Sequence, residues 1–265
     1  MPALPPYQVE AYNTAKVSEN KIHDDAVAKQ FGFGGGLVPG VDVYAYMTHQ
    51  PVVRWGREWL ERGTAECRFG KPVYDGDLTT VGATEDADGM TIEVSARGVS
   101  CATGRAGLPA AAPALSLDDF RKVPERETRP EAALESLAIG QWLGIEPVLC
   151  TPELAAEYLR DVRETAPIYA AEGLVHPVVV LRMCNFALNR NVTLGPWMHV
   201  GSKVRNFAPA RVGDALGVRA RVTANYEHKG HLFVDVDVLV IANDKTPIAR
   251  VDHISIYRPR QVLAA

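Results

Sequence analysis

Four residues in one short stretch could carry acid–base chemistry: Ser18, Glu19, Asn20 and His23. An imidazole titrates near neutral pH, so His23 could take up and return a proton. Glu19 is the neighbouring carboxylate and could share that work if the backbone turns it inward. Asn20 could fix the imidazole ring or a water molecule. Ser18 cannot act alone as an ionised base at neutral pH. Each has a structural reading too: Ser18 and Asn20 as turn caps, Glu19 as a solvated charge, His23 as a surface residue ahead of a helix cap. Thiol chemistry is not suggested. Cys67, Cys101, Cys150 and Cys184 are far apart, form no CxxC and read as reduced core residues. No zinc-type Cys/His spacing is present, so neither a metal nor another cofactor is expected.

The elements that must position these residues follow from periodicity and punctuation. Residues 7–12 alternate as a strand does. After a polar segment, Asp24 or Asp25 can cap a short helix ending near Gln30. Gly32, Gly34, Gly35 and Gly36 then give a loop with little side-chain bulk. Residues 41–60 read as one long apolar helix, with Val43, Tyr46, Met47, Val53 and Leu60 on its buried face and a kink at Pro51. Residues 64–108 predict three or four antiparallel strands with turns at Asp75-Gly76-Asp77 and Asp86-Ala87-Asp88-Gly89.

The stretch 109–133 is rich in Ala, Pro and charge and fits a linker, giving an amino-terminal unit at 1–108 and a carboxy-terminal unit at 134–265. In the second unit, Thr151-Pro152-Glu153 opens a helix with a capping hydroxyl and an early proline. A second apolar helix is expected at 178–192, with Met183 and Cys184 in the core. Strands follow near 203–207, 215–226, 231–242 and 247–258. Val234 to Val238 alternates as a strand with one wet face does. His228 and His231 flank a turn and are expected at the surface.

The two units are copies. Arg68, Pro72, Gly76 and Asp77 recur as Arg205, Pro209, Gly213 and Asp214, and 209 − 72 = 137 holds for every pair. Gly36-Leu37-Val38 and Gly173-Leu174-Val175 share that offset. A common offset over this length argues for a duplication. The recurrence of the arginines suggests a role in the fold, such as pairing Arg68 with Asp77 and Arg205 with Asp214.

The 265 residues are 47% hydrophobic and 23% charged, with a formal net charge of −4. That is the balance of a globular protein with a sizeable core. No Lys/Arg-rich run suggests nucleic acid. No stretch nears the roughly 20 apolar residues that span a bilayer. The opening Met1-Pro2-Ala3-Leu4-Pro5-Pro6 has neither the basic nor the apolar region of a signal peptide, so a cytoplasmic location is expected.

Two motifs resemble the MaoC-like, (R)-specific enoyl-CoA hydratase (hydratase 2) family in its double-hotdog form. Arg68-Phe-Gly-Lys-Pro-Val-Tyr-Asp-Gly-Asp77 is similar to the family's strand–turn–strand signature. Asn20-Lys21-Ile22-His23, followed by Gly36-Leu37-Val38-Pro39-Gly40, is similar to its catalytic histidine segment and the start of its central helix. The resemblance implies an α+β fold of two tandem hotdog repeats, each an antiparallel sheet wrapped around a long helix. There are departures. The family's catalytic Asp, five residues before the His, is Ser18 here, and the Pro between Asn and His is Lys21. In the second repeat, Asn20 and His23 correspond to Glu157 and Arg160, so that copy has lost the pair, while His176-Pro177 stands where the first repeat has Pro39-Gly40 and reads as a structural element.

The implied chemistry is addition or removal of water on an enoyl or 3-hydroxyacyl thioester, with His23 as the acid–base group. The backbone N–H of Gly40, aided by the helix dipole, would stabilise the developing oxyanion. Val38 and Pro39 would line the substrate path. Tyr44 and Thr48, one and two turns along the helix, could hydrogen-bond substrate or pack on the helix face. The substrate handle would be CoA or an acyl carrier. A homodimer is open, since a double hotdog is a complete pseudo-dimer alone or pairs again through its sheets. Two alternatives stand: a lyase, isomerase or hydrolase on a small non-thioester carbonyl compound, and a non-catalytic acyl-binding module.

Overall fold

Side-chain caps and apolar periodicity set the local elements, and the chain uses them twice. The structure, a computed structural model, describes residues 3–112 and 114–263; Met1 and Pro2 of the opening segment and Pro113 of the linker lie outside the described residues. The first half runs β1 (Tyr7–Glu10), a 3-10 turn (Lys21–His23), α1 (Asp25–Gln30), α2 (Gly40–Trp55) and α3 (Arg57–Arg62). Strands β2 (Thr64–Phe69), β3 (Leu78–Asp86), β4 (Gly89–Ala96) and β5 (Val99–Gly107) follow. The second half runs β6 (Trp142–Gly144), β7 (Val148–Leu149), α4 (Pro152–Asp161), α5 (Ile168–Glu172) and α6 (Val178–Asn189). It closes with β8 (Met198–Asn206), β9 (Ala215–His228), β10 (His231–Ala242), β11 (Thr246–Arg258) and α7 (Arg260–Leu263).

The capping expectations hold. The Asp24 carboxylate accepts from the N–H groups of Ala26 and Val27, and the Thr151 hydroxyl accepts from that of Leu154, each satisfying orphan donors of a first turn. The helix expected over 41–60 is two helices. α2 passes through Pro51 and stops at Gly56, where φ is 57° and ψ −137°, a conformation costly for residues with a Cβ. α3 then returns Trp59 and Leu60 to the core. Val53, expected to be buried, is 63% exposed because it faces away from the sheet.

All eleven strands join one antiparallel sheet, in the order β1-β3-β4-β5-β2-β8-β11-β10-β9-β6, with β7 also on β9. α2 and α6 are the two central helices. α2 packs on β3, β4 and β5, α6 packs on β9, β10 and β11, and the two helices touch each other. Val43, Tyr44, Met47, Leu181, Met183 and Cys184 are all buried there. Burying one such side chain contributes roughly 1.5–3 kcal/mol, so the two helix faces account for much of the fold's cohesion. The four cysteines are free and buried, as expected.

The halves meet where β2 pairs with β8. Glu66 is the register partner of Lys203, and 203 − 66 = 137, so these two residues are also each other's repeat equivalents. The internal two-fold therefore passes between them. Contacts repeat at the same offset: Val38 N–H donates to Val73 O and Val175 N–H to Ala210 O, both at 2.9 Å. The recurring aspartates share one job, for Asp77 accepts from Tyr74 N–H at 3.0 Å and Asp214 from Arg211 N–H at 2.8 Å. The recurring arginines do not pair with them. Asp77 binds Arg97, Asp214 binds Asn243, and Arg68 lies exposed 3.8 Å from Glu66. The strand alternation puts residue 68 on the outer sheet face, whereas Asp77 closes a turn at a strand end.

Candidate active site

The loop that carries His23 has little regular structure, and its shape comes from being tied to the signature turn. Asn13 N–H donates to Asp75 at 2.8 Å, and the Asn13 carboxamide donates to the His23 carbonyl at 2.9 Å. Gly36 N–H donates to Asp25 at 2.7 Å, and Ile22 is buried beneath. A Cβ on Gly36 would stand 2.2 Å from the His23 carbonyl oxygen, so this crossing of the chain needs glycine.

His23 has a defined tautomer. Its Nδ1 lies 2.7 Å from the Leu37 carbonyl oxygen. A carbonyl can only accept, so Nδ1 holds the proton and Nε2 keeps the lone pair. The Asn20 carboxamide nitrogen stands 3.3 Å from Nε2 and also donates to Trp197 O at 2.9 Å. Burial pushes the pKa of His23 below its ordinary value, and the hydrogen bond to Leu37 and the charge of Asp42 only partly oppose this. The ring is thus a neutral base at physiological pH.

His23 lies where two chambers meet. The outer one, about 360 Å³, is polar at its mouth, with Arg129, Arg182 and Arg190. The inner one, about 320 Å³, is largely apolar, with Ile22, Val43, Phe69, Val73 and Ile256 among its walls. Asn20, His23, Pro39, Asn185 and Trp197 line both. Trp197 and Asn185 come from the second half, so each repeat builds part of the wall.

The structure brings together Asn20, His23, Val38, Pro39 and Gly40, all at the inner chamber. The N–H groups of Gly40 and Val41 have no acceptor among the described residues, as suits the first turn of a helix whose dipole points its positive end at the cavity. Ser18 borders the outer chamber, where its hydroxyl donates to the Asn20 carbonyl at 3.2 Å in a turn. Glu19 is not turned inward: its side chain is 79% exposed at the rim and bound by Arg129 at 2.9 Å. Tyr44 and Thr48 lie outside both chambers. Tyr44 is enclosed in the core, and the Thr48 hydroxyl donates back to Ala45 O at 2.8 Å. The cavity sits at the end of α2, not along its side, so the residue one turn on that reaches it is Val43.

Sequence reasoning missed Asp42, Arg182, Asn185, Trp197 and His199. Asp42 is fully buried, accepting from Thr14 at 2.6 Å and from Arg182 at 3.0 Å. Arg182 also lies over the Tyr158 ring at 4.1 Å. Asn185 Oδ1 is buried without a partner among the described residues. A signal existed in the spacing of Arg182, Asn185 and Asn189, which puts one polar stripe on an otherwise apolar helix. Trp197 and His199 carry no such signal. Of the other histidines, His176 is buried and accepts from Val178 N–H at 3.1 Å, a structural role as expected. His228 is exposed, while His231 is half-buried beside the inner chamber.

No family model and no curated protein matches the sequence. Solved structures do. A MaoC domain protein dehydratase from Chloroflexus aurantiacus J-10-fl superposes with a TM-score of 0.60 at 12% identity, covering 97% of this chain and 94% of that one. A Mycobacterium tuberculosis protein with a double hotdog fold gives 0.62 at 14% identity, covering 96% of each.

The fold is the double hotdog.

The dehydratase domain of PpsC from Mycobacterium tuberculosis, solved with C12:1-CoA, gives 0.57 at 10% identity, covering 96% of this chain and 93% of that one. Matched structures described as thioesterases occur as well. Identities this low speak for the fold, and the chemistry must be argued from the site.

Proposed function

We propose that this double hotdog is a hydratase/dehydratase acting on an enoyl or 3-hydroxyacyl thioester, with His23 as the acid–base group. The observation that carries the reading is the imidazole itself: Nδ1–H committed to the Leu37 carbonyl, Nε2 keeping its lone pair with the Asn20 carboxamide nitrogen 3.3 Å away, and the ring lining both chambers. In the dehydration direction, Nε2 removes a proton from C2. The C–H pair forms the C2=C3 double bond, the C3–O bond breaks, and hydroxide leaves with the proton from Nε2 as water. Hydration is the reverse. Charge gathers on the thioester oxygen during either, and the N–H groups of Gly40 and Val41 are the donors suited to it. Asn20 and Asn185 are suited to orient the water. The acyl chain fits the apolar chamber, and the phosphates of a CoA or carrier handle fit the arginine-bearing mouth. The complex of a matched dehydratase with C12:1-CoA supports that choice of substrate class.

The test is hydration of crotonyl-CoA and trans-2-dodecenoyl-CoA, followed by loss of the enoyl absorbance. His23→Ala is expected to lower turnover about 10²- to 10⁴-fold, the range for a positioned acid–base group. Unchanged turnover in that variant, or no hydration of either probe by the unsubstituted protein, overturns the reading. Release of free thiol instead of a hydroxyacyl product would move it to thioester hydrolysis, the activity named for other matched structures.

A further inference from the structure

A second imidazole stands in the inner chamber, delivered by the other repeat. His199 belongs to β8, and its ring is held on three sides. Phe69 meets it edge-on with centroids 4.9 Å apart, His253 stacks on it at 4.2 Å, and Nε2 lies 2.8 Å from the Ser202 hydroxyl. The remaining nitrogen, Nδ1, is buried and has no partner among the described residues. A Cβ placed on Gly40 would come 3.3 Å from it. This nitrogen therefore faces the first residue of α2, whose own N–H is also free.

A buried ring nitrogen without a partner is costly, and an arrangement that holds one rigidly over a cavity is suited to a ligand atom. We propose that His199 is a substrate-binding residue of this site, donating its Nδ1–H to the carbonyl oxygen of the acyl thioester alongside the N–H of Gly40. The inference rests on the thioester reading of the site given above and adds to it a donor from the second repeat.

The hydrogen-bond chain behind the ring permits this. The Ser202 oxygen lies between His199 Nε2 at 2.8 Å and His253 Nδ1 at 3.0 Å, and it has one proton to give. If His253 Nδ1–H donates to Ser202, then Ser202 O–H donates to His199 Nε2, and the His199 proton sits on Nδ1. An acceptor-only carbonyl oxygen selects that arrangement, because the opposite one would set two lone pairs against each other. Both rings are neutral. Burial pushes His199 down to about 3 and His253 well below its ordinary value, and the positive end of α2 also disfavours an imidazolium. A neutral imidazole next to a helix N-terminus can polarise a carbonyl without giving up its proton.

The experiment uses full-length protein with His23→Ala, so that crotonyl-CoA or trans-2-dodecenoyl-CoA stays bound and unreacted. Imidazole nitrogen NMR should show His199 protonated at Nδ1, with that resonance moving when either thioester is added. The carbonyl band of the bound, carbon-13-labelled thioester should lie at lower frequency than in water and shift back in His199→Phe. In the enzyme that retains His23, His199→Phe should lower kcat by roughly 10²-fold, the cost of one oxyanion donor, with a smaller change in KM. His199→Gln, which keeps an N–H, should recover part of it. If His199→Phe does not fold, the NMR of the unsubstituted ring decides: an unprotonated Nδ1 in the complex overturns the proposal. If His23 proves essential while His199→Phe changes neither the carbonyl band nor kcat, the proposal fails alone. If neither thioester binds, the reading of the whole site fails and takes the proposal with it.

Discussion

The carboxamide of Asn20 is held at both ends by the backbone of Trp197. Its Nδ2 donates to the Trp197 carbonyl at 2.9 Å, and its Oδ1 accepts from the Trp197 N–H at 3.2 Å. Asn20 belongs to the loop of the first repeat and Trp197 to the segment between α6 and β8 of the second. The loop bearing His23 is thus latched across the interface between the repeats.

Asn20→Asp keeps the size of the side chain and removes its donor. One carboxylate oxygen would then stand where Nδ2 was and face two acceptors, the Trp197 carbonyl and His23 Nε2. The variant should lose about 1–3 kcal/mol of unfolding free energy, the cost of leaving a partly buried group unsatisfied, and should lose turnover as well. Urea unfolding and steady-state assays measure both. Wild-type values for each would remove the latch from the account.

Gly36→Ala tests how finely His23 is placed. The added methyl would fall 2.2 Å from the His23 carbonyl oxygen, so the turn must shift. A displacement of about 1 Å at a catalytic group can cost about 10²-fold in rate, and a loss of that order is expected with the fold retained by circular dichroism. A fully active variant would mean that the crossing at Gly36 does not position the ring.

Asp42 and Arg182 link the two central helices through a carboxylate with no exposed surface. Asp42→Ala leaves the Arg182 guanidinium, over the Tyr158 ring, without its counter-charge. The expected loss is about 3–5 kcal/mol, as for other broken buried pairs. The double variant Asp42→Leu with Arg182→Met should recover most of it. Chemical denaturation of the three proteins decides the matter, and a double variant no more stable than Asp42→Ala refutes the pairing as the cause.

Stability should fall in acid. His199 and His253 are buried neutral, with folded pKa values below the unfolded value near 6.5, and His199 is pushed down to about 3. A group with a depressed folded pKa contributes fully above its unfolded value. Its contribution is lost as pH falls from about 6.5 toward the folded value, at about 1.4 kcal/mol per pH unit for each group. Glu164 adds to this at lower pH. Burial alone would raise it, but the His176 ring 3.5 Å away and a hydrogen bond from His49 at 2.8 Å hold it below the carboxylate range. Urea midpoints between pH 7.5 and pH 5 should decline, and His253→Phe should flatten the slope. A flat wild-type profile would show that these rings are not buried neutral in solution.

Local signals survived into the structure wherever one residue's chemistry settles one turn of chain. The caps at Asp24 and Thr151 were legible because a short polar side chain ahead of an apolar run satisfies nearby N–H groups. The two-copy architecture was legible because the same turn recurs 137 residues on, and Glu66 opposite Lys203 gives that number a geometric meaning; the double hotdog itself was what the family resemblance implied. Asn20, His23 and Gly40 were legible as a group because they lie close in sequence and face one cavity. Glu19 was not resolved, because inward or outward depends on Arg129, 110 residues away.

Sequence alone thus determined the main strands and central helices, their duplication and the choice of His23, since spacing along the chain encodes those. Only the tertiary structure decided that Tyr44 and Thr48 face the core, that Trp197 latches the loop bearing His23 and that His199 looks into the same cavity. Those outcomes depend on how α2 is rotated and on which strand of one repeat lies beside which helix of the other. Neither is written in any local stretch of residues.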